Sequence, residues 1–226
     1  MTTIGFVHIS GPEAKKFLQG QLTCDMEQLV PEQYQLAAHC NPQGRIISLF
    51  HLFQREDAYY FVLPASMVEK TILALKKYIV FFKAAICADV INIQHADFFG
   101  KENLIQRGIP SVYPETSGLF LPHELNLPDL GAVSFNKGCY TGQEIIARMH
   151  YRGKLKSHLY QATFSNTLTP TPGSPIVCEN NQTEKTVGTV VDAASQHILF
   201  VTDETNAKDA HLFLPNDNKN YFKMRN

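Results

Sequence analysis

Two strand-like runs, YQLAAHC (34–40) and RIISLFHLF (45–53), are joined by only four residues, NPQG (41–44). Asn first, Pro second and Gly fourth suit a type I turn. The two runs are therefore predicted to pair as an antiparallel hairpin. No other local signal constrains the fold as much, because it sets two strands side by side in one sheet. AYYFVLP (58–64) reads as a third strand, and its apolar, β-branched and aromatic content predicts burial on both faces. IGFVHI (4–9) alternates weakly and predicts another.

Helices are expected between these strands. Ser10 with Glu13 resembles a capping box, and Ala14, Phe17 and Leu18 share one face of a helix ending at Gly20. Ser66 with Glu69 resembles a second box. It opens SMVEKTILALKKYIV, where Val68, Ile72, Leu75 and Ile79 fall at helical spacing, and Lys76 and Lys77 suit the last turns. AAICADVINIQ (84–94) predicts one or two strands, GKENLIQRGIP a short strand or helical turn, and the Pro- and Gly-rich 110–131 an ordered loop. In TGQEIIARMHY, Thr141 is the predicted cap, Ile145, Ile146 and Met149 the buried stripe, Glu144 and Arg148 an ion pair, and Gly153 the stop.

After residue 155 the texture changes. LYQATFS, PIVCE, EKTVGTVVDA, HILFVTD and HLFLP are short strand-like runs between turn-rich pieces, a spacing that predicts a small antiparallel barrel or sandwich. The expected domains are 1–154 and 155–226. A formal net charge of −1 gives no global field for nucleic-acid phosphates, although local patches are not excluded. The N-terminus lacks a signal-peptide pattern, and the longest mid-chain apolar run, YIVFF, is far short of a membrane span. A cytoplasmic protein is expected. Cys24, Cys40, Cys87, Cys139 and Cys178 are odd in number with no C-x-x-C pair, which argues against a disulfide framework or structural zinc. No His, Asp or Glu spacing reads as a metal site.

The string KGCYTGQE (137–144) carries the strongest chemical signal. Cys139 lies two residues before the expected cap, and Lys137 is close in sequence. Both features favour a thiolate. A buried structural cysteine in a glycine-bounded turn is the alternative, and the residues alone leave both open.

KGCYTGQE followed by RMHYRGK resembles the signature of the YgfZ family, folate-binding relatives of the glycine-cleavage T protein. ISGPEAKKFLQGQLTCD, LAAHCNPQGR, LKKYIVFFK and SGLFLPHELNLPDLGAVSFNKG support the resemblance. It implies an α+β fold: a T-protein-like mixed α/β folate-binding domain with a reduced middle subdomain (about 55–100), and a small C-terminal antiparallel β-barrel. It implies a tetrahydrofolate-type cofactor and a role in synthesis or repair of iron–sulfur proteins, including those that modify tRNA. By the same resemblance Cys139 and Lys137 carry the chemistry. Tyr140, Gly142, Gln143, Glu144 and Arg148 match the binding motif, with Arg152-Gly153 downstream. The expected partners are folate and iron–sulfur client or assembly proteins, with no direct nucleic-acid binding, no membrane contact and a monomeric state.

Three departures accompany the resemblance. The chain is short after FFK. Gln106-Arg107-Gly108 stands where relatives often have Glu-Ala-Gly, and the chain has no Trp. Phe98, Phe99, Tyr113 or Phe120 would have to stack on a pterin instead, Phe99 and Tyr113 being the expected binding residues. In aminomethyltransferases an Asp follows the hairpin turn; here the corresponding residue is Ser48, and no acid lies between Gly44 and Phe53. A hydroxyl cannot replace a carboxylate in proton transfer, so aminomethyl transfer of the glycine-cleavage type is the disfavoured alternative. A non-catalytic folate- or protein-binding module is the other.

Overall fold

The computed structural model describes residues 3–90, 99–164, 169–180, 183–208, 211–215 and 222–224. Two compact units result. One contains residues 1–94, 111–123 and 127–153; the other contains 95–110, 124–126 and 154–226.

The first unit is built on the expected hairpin. Strands β2 (Gln35–Cys40) and β3 (Ile46–Arg55) pair antiparallel, with a register shift at His39/Cys40. The Gly44 N–H donates to the Asn41 carbonyl at 2.9 Å, and the Asn41 side chain accepts from the Arg45 N–H at 2.9 Å. Strands β1 (Ile4–Ser10), β4 (Ala58–Pro64) and β5 (Ala85–Asp89) complete an antiparallel sheet in the order β2-β3-β4-β1-β5. Val7 and Ile9 of β1 are fully buried, whereas His8 between them is half-buried, the alternation of a sheet with one covered face. β4 alternates in the same way at its start: Tyr59 and Phe61 are buried and Tyr60 only half-buried, so burial on both faces holds only from Phe61 to Leu63.

Helix α1 (Ala14–Gln21) buries Ala14, Phe17 and Leu18 and continues one residue past Gly20. Helix α2 (Val68–Ile79) follows a 3-10 turn (Ala65–Met67) and buries Ile72, Leu75 and Ile79 with Thr71. The capping boxes do not form. Glu13 instead accepts the backbone N–H of Lys83 at 2.8 Å, and that bond holds its carboxyl below the usual carboxylate range. Ser66 lies inside the 3-10 turn, whose carbonyls lead directly into α2. In both helices backbone geometry replaces the side-chain cap that the sequence offers.

Of 84–94, residues 85–89 form β5, and 91–98 lie outside the described residues. In the second unit, α3 (Lys101–Gln106) is a helical turn rather than a strand. Strands β6 (Ser157–Thr163), β7 (Pro175–Asn180), β8 (Thr183–Ala194), β9 (His197–Asp203), β10 (Leu212–Phe213) and β11 (Lys223–Met224) form an antiparallel sheet. Its order is β10-β7-β8-β9-β6-β11, with a single turn α5 (Glu204–Ala207) after β9. Register shifts at Ile176/Val177 and Val190/Asp192 bend the strands, and the sheet curls around Phe164, Ile176, Val190, Ile198 and Phe200. Among the described residues no helix is long and apolar enough to cross a membrane.

Asp192 is fully buried in this unit, beside a bulge. Its Oδ1 takes the Lys101 ammonium at 2.8 Å and the Ala193 N–H at 2.9 Å. Removing one member of a buried pair strands the other charge. Asp192→Ala is therefore expected to cost about 3 kcal/mol, read as a lower urea midpoint. An unchanged midpoint would show that Lys101 is solvated once released.

Candidate functional site

KGCYTGQE lies directly on the hairpin turn. Helix α4 (Gln143–Arg152) is entered through Gly142, whose φ of +85° is the left-handed conformation that glycine adopts without penalty. A Cβ at Gly142 would stand 2.6 Å from the Asn41 carbonyl oxygen and 3.3 Å from the Cys40 Cβ. Thr141 is not the cap. Its hydroxyl donates to Gln21 Oε1 at 3.2 Å, and its N–H donates to the Gly20 carbonyl. Gln143 turns back, so that its Oε1 accepts the Tyr140 N–H at 3.2 Å. Of the expected stripe only Ile146 is fully buried; Ile145 and Met149 are half-buried. Glu144 and Arg148 are both exposed and form no ion pair among the described residues.

Lys137 fastens the loop to the segment after α1. Its ammonium donates to the carbonyls of Leu22 at 2.8 Å and Cys24 at 2.6 Å, and lies 5.1 Å over the Tyr140 ring. Burial pulls its pKa down to about 8, opposed by the nearby Cys24 and Asp25. Cys24 is itself pushed up to about 11 by burial, partly offset by Lys137, so it is an inert thiol. Tyr140 is buried, and burial raises its phenol as well. Thr23 adds two ties that the sequence offered no reason to single out. Its hydroxyl donates to the Ala132 carbonyl at 2.7 Å, and its carbonyl accepts the Ser134 N–H at 2.8 Å.

Against this fastened backbone Cys139 is exposed. Cys24, Cys40 and Cys178 are buried, and Cys87 is exposed beside His8, with Sγ 3.7 Å from Nδ1. The motif residues thus divide. Lys137, Tyr140, Gly142 and Gln143 hold the loop's shape, while Cys139, Glu144 and Arg148 face outward. Tyr113 is buried in the first unit; Phe99 is buried in the second.

A groove of about 680 Å³ opens along α2 and the hairpin, lined by His39, Pro42, Ile47, Glu69, Lys77 and Tyr78 among others. Its volume suits a drug-sized ligand. Ser48, the position expected to be acidic in an aminomethyltransferase, is fully buried opposite His39 in the β2–β3 register. Neither His39 nitrogen nor the Ser48 and Thr71 hydroxyls has a partner among the described residues. Burial, with help from Lys77, lowers the His39 pKa to about 4. Unfolded histidine titrates near 6.5. Between those values only the unfolded chain takes up the proton. His39 therefore contributes stability above about pH 6.5 that is lost as pH falls toward 4, on the order of 3 kcal/mol. His39→Phe is expected to flatten this part of the stability profile in urea titrations from pH 7 to pH 4, and a parallel profile would contradict the neutral buried imidazole.

No family model matches the chain. A "tRNA-modifying protein YgfZ" from Escherichia coli O157:H7 is 30% identical, with 82% of this chain and 77% of the relative aligned. The chain belongs to the YgfZ family. A protein of the same name from Klebsiella pneumoniae is 28% identical over the same shares. Both alignments run over 251 positions, more than the 226 residues of this chain, so these YgfZ relatives carry inserted residues that it lacks. Among solved structures, the glycine cleavage system aminomethyltransferase T of Bartonella henselae superposes with a TM-score of 0.71. That match covers 99% of this chain and 82% of the other at 11% identity, and it establishes the shared T-protein-like fold.

Proposed function

We propose that this YgfZ-family protein is a cytoplasmic, reduced-folate-binding factor that maintains iron–sulfur proteins, including enzymes that modify tRNA, and that it acts through the Cys139 thiol. The observation that carries this reading is the division within KGCYTGQE: a backbone tied down by Lys137, Tyr140, Gly142 and Gln143, and a thiol left exposed. Fixing a reactive group on a rigid loop is how a site keeps its geometry. The groove beside the same hairpin supports the folate part of this reading. The Tyr78 ring offers a stacking face, the Glu69 carboxylate an acceptor for pterin N–H groups, and Lys77 a cation for the glutamyl tail. Glu69 thereby offers the carboxylate that Gln106-Arg107-Gly108 does not. Aminomethyl transfer is disfavoured, because a buried Ser48 facing a neutral His39 provides no carboxylate for proton transfer.

Calorimetric titration with 5-formyltetrahydrofolate tests the folate part. Saturable heat is expected, with affinity about tenfold weaker in Lys77→Gln, the size of one lost charge contact. Absence of heat at millimolar folate would remove the cofactor from the account.

A further inference from the structure

The second half of α4 and the residues that follow it, RMHYRGKLK (148–156), carry Arg148, Arg152, Lys154 and Lys156, with no carboxylate between residues 145 and 156. The same chain has a formal net charge of −1. Charge averaged over a chain says little about one face, because fields are screened within about 8 Å at physiological salt. Arg148 and Arg152 sit four residues apart on α4, where like charges repel. Both are exposed, and neither joins an ion pair among the described residues. Glu144 lies one turn before Arg148 and points to solvent without pairing with it.

Aromatic rings stand beside these cations. Tyr151 is 68% exposed. His150, also exposed, stacks on Phe135 at 3.7 Å and 15°, and Tyr151 meets the His150 ring edge-on at 4.8 Å. The helix dipole accounts for cations in the last turn. It does not account for Arg148 or for an exposed tyrosine. Exposed cations beside exposed rings match single-stranded nucleic acid, whose bases are unstacked and open to aromatic contact. A duplex hides its base faces, and an acidic peptide would use the cations but not the rings.

We propose that the last two turns of α4 form a contact surface for single-stranded nucleic acid, with Arg148 and Arg152 on phosphates and Tyr151 and the Phe135-backed His150 stacking on an unpaired base. This proposal departs from the expectation of no direct nucleic-acid contact.

The test is fluorescence anisotropy of the full chain with a short labelled unstructured RNA across a salt series. The wild type is expected to bind with a clear salt dependence. Arg148→Gln with Arg152→Gln should weaken binding about tenfold and lower the salt slope by about 1 to 2. Tyr151→Ala leaves the charge unchanged and should weaken binding about fivefold or more, while Tyr151→Phe restores it. Melting curves of each variant should overlay the wild type, since the three residues are exposed. The surface is overturned if the wild type does not bind the RNA, if the variants bind as the wild type does, or if a duplex or poly-glutamate competes as well as the unlabelled RNA.

Discussion

Gly142→Ala is expected to destabilise the first unit by about 3 kcal/mol or more, with a matching fall in the urea midpoint. Two costs add. An L-residue held at the φ of +85° found here carries a left-handed backbone penalty of about 1 kcal/mol. The new methyl also meets backbone: the Asn41 carbonyl oxygen at 2.6 Å and the Gly44 Cα at 3.0 Å, neither of which can rotate away as a side chain would. The hairpin and the loop must then separate, which breaks the register that places Cys139. Gly138, four residues earlier, is the control. A Cβ there meets nothing within 4 Å and its φ is not positive. Gly138→Ala should stay within about 0.5 kcal/mol of wild type. Equal midpoints for the two variants would show that the loop is not seated on the turn.

The sequence carried the hairpin and the buried faces of α1 and α2, because each rests on local periodicity or turn chemistry. The caps were misread for a physical reason. Ser10, Ser66 and Thr141 each had a Glu three residues on, but Glu13 took the Lys83 N–H, Thr141 took Gln21, and Ser66 lies inside the 3-10 turn. The work of Lys137 was equally hidden. Its proximity to Cys139 in sequence suggested a tuned thiol, whereas its ammonium is held by carbonyls more than a hundred residues earlier in the chain. Nothing in the local sequence tied Lys137 to the Leu22 and Cys24 carbonyls. The groove was illegible because His39, Glu69, Lys77 and Tyr78 come from two elements whose approach depends on the sheet being formed.

Cys139→Ala is expected to abolish function without disturbing the fold. The thiol is exposed, so truncating it should change stability by less than about 0.5 kcal/mol. If the thiol is the reacting group, at least tenfold of the biological activity should go with it, as is usual when a nucleophile is removed. Cys87 is the matched comparison, since it too is exposed and lies beside an imidazole. The direct measurement is the modified-nucleoside content of tRNA made by an iron–sulfur enzyme, in cells whose only copy of this protein is wild type, Cys139→Ala or Cys87→Ala at equal protein levels. The account predicts normal modification with Cys87→Ala and loss with Cys139→Ala; wild-type modification with Cys139→Ala would contradict it.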